Sequence, residues 1–380
     1  MSYNFDTLIP RRGTNCIKWD IYPENVLPMF IADMDFPVAP VIMEAVVRRA
    51  TEHPIYGYTF SDHEIFPAFR GWLAATYGAK ITDGDLLLLS GIVPALSLVS
   101  NLVDGNSITT TPNYGHLLSA PGRAGNEVIT VPLRNDQERY TLDFGALEQA
   151  LTPDTKLFYL CSPHNPVGRI WKREELEAVS AFAQRHNLLV VSDEIHCELV
   201  FDRPHIPFFT VSDYARNHSI CLYAPGKTYN LAGNNLAVAV VSNQELKHRL
   251  KSLSYAMSSP GIFQTAAASA AYTCAGEWRN ALVDYLRGNR DYVEAELNRR
   301  FPLAKHPHTE GTYLQWIDFR PYGAEYTRDW FLKQADVALT DGAEFGGPGC
   351  VRLNFGCPRA QVTQALDRIE AAMDHAERKK

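Results

Sequence analysis

Between Asp85 and Ser242 the chain repeats one pattern: a short, strand-like run followed by a longer stretch of helical periodicity. The runs are "DLLLLS", "SITTT", "EVITVPL", "KLFYLCS", "LLVVSDE", "HSICLYA" and "LAVAVVS". Their near-continuous hydrophobicity predicts strands covered on both faces. In "REELEAVSAFAQRHN", Leu176, Val179, Phe182 and Ala183 share one helical face. This alternation predicts an α/β protein on a mostly parallel central sheet with helices on both sides. Beyond Gln244 the pattern becomes helical, and the last section mixes the strands "GTYLQWIDF" and "CVRLNFG" with a closing helix, "AQVTQALDRIEAAMDHAE". These predict a smaller α+β lobe packed closely on the first. No repeat, low-complexity segment or Gly/Ser linker interrupts the chain.

The 380 residues suffice for two lobes, and 46% hydrophobic content supplies an extensive core. A net charge of -7 argues against nucleic acid and anionic membranes as partners. The longest aliphatic runs fall far short of a membrane span, and "MSYNFDTLIPRRG" has no apolar core of signal-peptide length. Seven scattered cysteines, never spaced Cys-x-x-Cys, read as reduced thiols of a cytoplasmic protein. Cys161 and His164 lie close in sequence, but no second ligand pair follows, so no metal site is expected.

"LYAPGKTYNLAG" can be read three ways: a phosphate-binding loop, a lysine that bonds a carbonyl cofactor, or a surface lysine in a turn. The phosphate-binding loop fails, because its leading glycine is Cys221 here and Pro225 removes a needed N–H. The other two readings stay open on this stretch. "LLLLSGIVPA" passes from a strand through Gly91 into a helix, where backbone N–H groups can face an anion, although a plain turn would look the same. Asn165 in "CSPHNPVGR" follows a strand, as a polar turn also could. "LLVVSDEIH" places Asp193 and Glu194 at the end of a very apolar strand, which is costly unless they are paired, and favours a functional role. Arg352 interrupts the apolar strand "CVRLNFG", as a structural ion pair or as a ligand for a substrate carboxylate.

In open α/β sheets chemistry gathers at the carboxyl ends of strands. A lysine, an aspartate, an asparagine and a glycine anion cradle at such ends suit pyridoxal 5′-phosphate. The lysine would carry the cofactor as an imine, and the aspartate would keep the pyridine nitrogen protonated.

The ordered series "RRGTNCIKWD", "LPMFIADMDFPVAP", "HPIYGYT", "SGIVPALS", "CSPHNPVGRIW", "VVSDEIHCEL", "KTYNLAG" and "VRLNFGCPR" resembles the fold-type I pyridoxal-phosphate enzymes related to class I/II aminotransferases. More narrowly, it is similar to the MalY/PatB group of cystathionine β-lyases, or C–S lyases. The resemblance implies a large cofactor-binding domain over residues 45–275 and a small domain from residues 1–44 and 276–380. It implies Lys227 as the Schiff-base and proton-transfer lysine, Asp193 on the pyridine nitrogen and Asn165 on the phenolic oxygen. His196 would stand near that oxygen where many aminotransferases carry tyrosine. Tyr114 would stack on the ring, Gly91, Ile92 and Val93 would offer amides to the phosphate, and Arg352 would hold the substrate α-carboxylate. Tyr58 would reach into the neighbouring subunit's site, which implies a homodimer with shared active sites.

The activity so implied is α,β-elimination from cysteine S-conjugates to a thiol, pyruvate and ammonia. Transamination is the second reading, and a specialised lyase or an oxidative or decarboxylating variant on a larger S-conjugated amino acid is another. A non-catalytic, ligand-binding role is disfavoured by the full set of Lys227, Asp193, Asn165 and Arg352. Gly226 stands where the group usually has serine, which removes one hydroxyl from the expected phosphate contacts. "GHLLSAPGRAG", "GNN" and "LTDGAEFGG" also depart from the usual pattern, in segments expected to shape the side-chain pocket.

Overall fold

The computed structural model describes residues 3–255, 257 and 259–378. Residues 1, 2, 379 and 380 of the expected small domain, and Ala256 and Ser258 of the expected large one, lie outside the described residues. All seven expected strands form: β1 (Leu86–Leu89), β2 (Asn106–Thr111), β3 (Val128–Pro132), β4 (Thr155–Cys161), β5 (Leu189–Asp193), β6 (Ser219–Tyr223) and β7 (Ala237–Val240). They join in one sheet of order β1-β7-β6-β5-β4-β2-β3. Within it β7 runs antiparallel to both neighbours, and the other pairs are parallel.

The apolar runs of the sequence are explained by two cores, one on each face. Successive side chains of a strand point to opposite faces. Phe158 and Leu160 of β4 therefore enter one apolar cluster, while Leu157 and Tyr159 enter the other. Val190 and Val191 of β5 divide in the same way. Burying one such aliphatic side chain stabilises the fold by about 1.5–3 kcal/mol. Charged side chains on β5 and β6 are thereby kept out of the strand interiors, and Asp193 stands at the carboxyl end of β5. Register then aligns the strand ends: Cys161 pairs with Asp193, and Asp193 with Leu222. The segments leaving β4, β5 and β6 start side by side on one edge of the sheet.

A third core joins the two ends of the chain. Phe5, Met34, Trp278, Leu286, Leu353 and Ile369 belong to one cluster. It includes an antiparallel sheet of β8 (Leu314–Asp318), β9 (Thr340–Asp341) and β10 (Cys350–Asn354), with β10 in the middle. The closing helix spans Arg359–Glu377. No helix among the described residues is long and apolar enough to cross a membrane.

One buried carboxylate ties the amino-terminal segment to this core. Asp35 accepts hydrogen bonds from Arg11 (2.6 Å), Trp19 (2.8 Å), Lys18 (2.8 Å) and Gln361 (3.0 Å). Burial alone would raise the Asp35 pKa, but the Lys18 charge and the bonds from Lys18, Trp19 and Arg11 hold it below the ordinary 3.8. Its contribution to stability is therefore present at neutral pH and is lost as pH falls below that value. Asp35→Ala leaves Lys18 charged and buried without a counter-ion. We expect it to lower stability by about 3–5 kcal/mol in urea unfolding. Asp83→Ala, which removes an exposed pair with Arg70, should change it by less than about 1 kcal/mol.

Candidate active site

The strand ends open into a cavity of about 660 Å³. Gly91, Ile92, Val93, Tyr114, Asn165, Asp193, His196, Lys227 and Arg352 all line it. Tyr58 does not; it stands fully exposed on the surface, in a segment before the helix Ser61–Tyr77.

The two carboxylates of "SDEIH" part company. Glu194 turns into the interior and is saturated. It accepts from Ser192 Oγ (2.9 Å), the Phe208 N–H (2.9 Å), His205 Nε2 (2.6 Å) and the Tyr223 hydroxyl (2.5 Å). The functional role expected for a pair of carboxylates thus narrows to one. Asp193 faces the cavity, 2% exposed, and the Ile195 N–H at 3.2 Å is its one hydrogen bond among the described residues. Burial pushes its pKa up to about 7, against the Ile195 N–H and the attraction of Lys227. A buried carboxylate so poorly satisfied is stabilised by a cation arriving from the cavity.

Lys227 follows β6, and its Nζ donates to the Ala32 carbonyl at 2.7 Å. Burial, and next the Arg352 charge, bring its pKa down to about 8, although Asp33 and Asp193 pull the other way. Arg352 lies in the middle strand of the small sheet and reaches across to Asn165 Oδ1 (2.9 Å) and Thr340 Oγ1 (3.3 Å). Its guanidinium sits 4.5 Å from the centre of the Phe345 ring. Its hydrogen-bond partners among the described residues are those two neutral oxygens, its Nε has none, and burial lowers its pKa to about 10. It remains a cation at neutral pH, so it awaits an anion. Burial, then Lys227 and Arg352, hold His196 neutral by pushing its pKa well down. Burial also raises the Tyr114 hydroxyl.

At the other end of the cavity, Gly91 has φ +127°, which L side chains rarely adopt, and leads into the helix Ile92–Ser100. The free amides of that helix start form an anion cradle. Gly226 also lines the cavity; a Cβ there would come no closer than 3.6 Å to the Leu231 carbonyl oxygen. The missing serine hydroxyl is therefore a chemical difference and not a steric necessity. Thr228 is buried and does not line the cavity.

Sequence reasoning assigned no role to the wall formed by Tyr22, Phe30, Ile31 and Ala32. The quoted motif "LPMFIADMDFP" contained the last three, but nothing local signalled their contact with a lysine so distant in the chain. Asn354 donates to the Ile31 and Asp33 carbonyls (2.7 and 2.8 Å), and Asn230 to those of Met34 and Phe36 (3.0 and 2.8 Å). These amides clamp the segment beside Lys227.

The sequence pattern of the family described as aminotransferase class I and II matches residues 24–369. The chain belongs to that family. Among its relatives, cystathionine beta-lyase PatB of Bacillus subtilis is 35% identical, covering 97% of this chain and 100% of its own. Protein MalY of Escherichia coli is 30% identical, over 96% of this chain and 97% of its own. A crystal structure of the PLP-bound C–S lyase from Staphylococcus hominis superposes with a TM-score of 0.90 at 29% identity, covering 98% of each chain.

The residues present in this family member fit pyridoxal phosphate: an unpaired buried carboxylate for a protonated ring nitrogen, an amide cradle for a phosphate and a half-buried amine, all lining one cavity. In the cofactor-free protein, reductively 13C-methylated Lys227 should titrate with a midpoint near 8, well below 10.5. The signal, assigned by its loss in Lys227→Ala, should shift to still lower pH in Asp193→Asn, because an attraction holding the proton is removed. A midpoint near 10.5 would contradict the desolvated site.

Proposed function

We propose that this protein is a pyridoxal-phosphate-dependent carbon–sulfur β-lyase that converts cysteine S-conjugates to a thiol, pyruvate and ammonia. The observation that carries the reading is the half-buried Lys227, its pKa brought down to about 8, in one cavity with the unpaired cation Arg352 and the unpaired carboxyl group of Asp193. The names of the B. subtilis relative and the S. hominis structure support the reaction class.

The cofactor, when bound, supplies an electron sink for negative charge at Cα, with its ring nitrogen kept protonated by Asp193. Arg352 takes the substrate α-carboxylate in a bidentate pair, and the Asn165 and Thr340 oxygens fix the guanidinium plane. That anchor turns the Cα–H bond toward Lys227. Nζ removes the proton, and a pKa near 8 lets the same amine accept and return it at neutral pH. The C–S bond then breaks with its electron pair leaving on sulfur, Lys227 provides the proton the thiolate needs, and water completes the conversion to pyruvate and ammonia. The buried, neutral His196 helps keep bulk water from the reacting carbon.

The active unit in this reading is a homodimer. Its support is an exposed apolar strip, with Ile55 81%, Phe60 75% and Tyr58 fully exposed in the single chain. Tyr58 is assigned to the partner's cavity. The lobes are assigned as residues 45–275 and, from both termini, 1–44 and 276–380, supported by the shared terminal core. A cytoplasmic location accords with the unpaired cysteines.

Transamination remains the second reading, because the matched family is that of aminotransferases. The two separate by stoichiometry. With S-alkyl cysteines and cystathionine, the lyase should release equal amounts of thiol and pyruvate over many turnovers without added keto acid. A reaction that stops after one turnover until keto acid is supplied identifies a transaminase, and no thiol from any member of the panel would sink the lyase reading.

A further inference from the structure

The backbone turn beside Lys227 is strained. Ile31 has φ +50°, a left-handed conformation that a β-branched residue seldom adopts. The Asp33 N–H donates to the Ile31 carbonyl at 2.9 Å, which closes a three-residue turn centred on Ala32. That turn presents the Ala32 carbonyl to Lys227 Nζ at 2.7 Å. Such strain persists only where the surroundings enforce it, and here they do. Asn354 donates to the Ile31 and Asp33 carbonyls, and Lys18 Nζ donates to the Asp33 carbonyl at 2.9 Å. The Asp33 carboxylate is fixed by Arg11 at 2.7 Å and is 22% exposed. Arg11 does not fully neutralise it, because the same guanidinium also pairs with Asp35 at 2.6 Å.

Asp33 does not line the cavity, so the group it can act on is the amine next to its own turn. When Lys227 takes the Cα proton it becomes an ammonium, with three N–H donors and a charge to satisfy beside Arg352. With Asp193 engaged by the cofactor's ring nitrogen, Asp33 is the anion left to that ammonium. We propose that the turn Ile31–Asp33 receives the ammonium, with the Ala32 carbonyl as its hydrogen-bond acceptor and Asp33 as a positioning residue whose charge draws the proton onto Lys227. This rests on Lys227 as the proton carrier, and it holds for elimination and transamination alike, since both begin at the Cα–H bond. The other groups around the amine do not replace Asp33. Arg352 opposes the ammonium, and Asp33 attracts it more strongly than Asp193 does. His196 is neutral, as is His116 of the helix Gly115–Arg123, whose pKa is lowered by burial, Arg123 and Lys227. The buried Tyr313 hydroxyl, near Asp33, is pushed up and stays protonated. Exposed Glu344 lines the cavity and acts on Arg352.

The first test is titration of 13C-methylated Lys227 in the cofactor-free protein. Asp33→Asn should move the midpoint below the wild-type value near 8, and further than Asp193→Asn moves it. Asp33→Glu, which keeps the charge, should restore most of the fall. The second is exchange of the Cα hydrogen of L-alanine in D2O on the cofactor-loaded protein, at a pH where the amine is neutral in both proteins. Asp33→Asn leaves a weaker base there and should exchange more slowly, on the order of tenfold. Its alanine dissociation constant, read from cofactor absorbance, should match the wild type, because Arg352 is untouched. A midpoint that does not fall in Asp33→Asn, a fall no larger than that in Asp193→Asn, or exchange at the wild-type rate would overturn the proposal. A fall that Asp33→Glu repeats in full would assign the effect to the shape of the turn and overturn it as well. The expected fall together with wild-type exchange in Lys227→Ala would keep Asp33 as the partner of the amine and refute Lys227 as the proton carrier instead.

Discussion

A carboxylate buried at the end of an apolar strand is expensive to keep charged unless a partner meets it, and Asp193 is such a group. Its neighbour Glu194 shows what a structural carboxylate looks like in the same place, closed off by four donors from Ser192, Phe208, His205 and Tyr223. Asp193 has one backbone N–H and a pKa near 7. The strand delivers both residues to the sheet edge. One completes the core, and the other is left to be completed by a cation from the cavity.

The remaining charges follow from the same dry surroundings. Burial that penalises the Asp193 carboxylate also penalises the Lys227 ammonium, and Arg352 adds to that effect, so the amine titrates where a proton can move both ways. Arg352 is tolerated because neutral oxygens of Asn165 and Thr340 hold it in place, leaving its charge for an incoming carboxylate. The residue comes from the small sheet and Asn165 from the end of β4, so this one contact joins the two sheets across the site. The segment through Ile31 and Ala32 closes the wall, held by Asn354 from the small sheet and Asn230 just after Lys227.

How much of this is legible in the sequence depends on how far each contact reaches. "LLVVSDE" reads as a buried strand because uninterrupted aliphatic residues suit a strand with a core on each face, and that is how Val190 and Val191 are placed. Asn165, Asp193 and Lys227 are legible as polar residues at strand ends, and the cavity gathers all three. Local letters do not say which of Asp193 and Glu194 faces the cavity, because neighbours on a strand point opposite ways and the partners of Glu194 come from elsewhere. The Ala32 carbonyl bonds a lysine 195 positions away, a contact no local pattern encodes. Tyr58 touches nothing in its own chain's cavity, so its assigned role rests on resemblance and on the exposed strip around it.

The central claim is that Lys227 itself moves the proton at Cα. The direct measurement is exchange of the Cα hydrogen of L-alanine, an amino acid with no leaving group, followed by NMR in D2O with cofactor-loaded protein. The wild type should replace that hydrogen with deuterium. Lys227→Ala, still holding cofactor through the Gly91 cradle and Asp193, should exchange it slower by about 10²–10⁴ or more. Exchange at the wild-type rate in Lys227→Ala would show that another group takes the proton and would contradict the account.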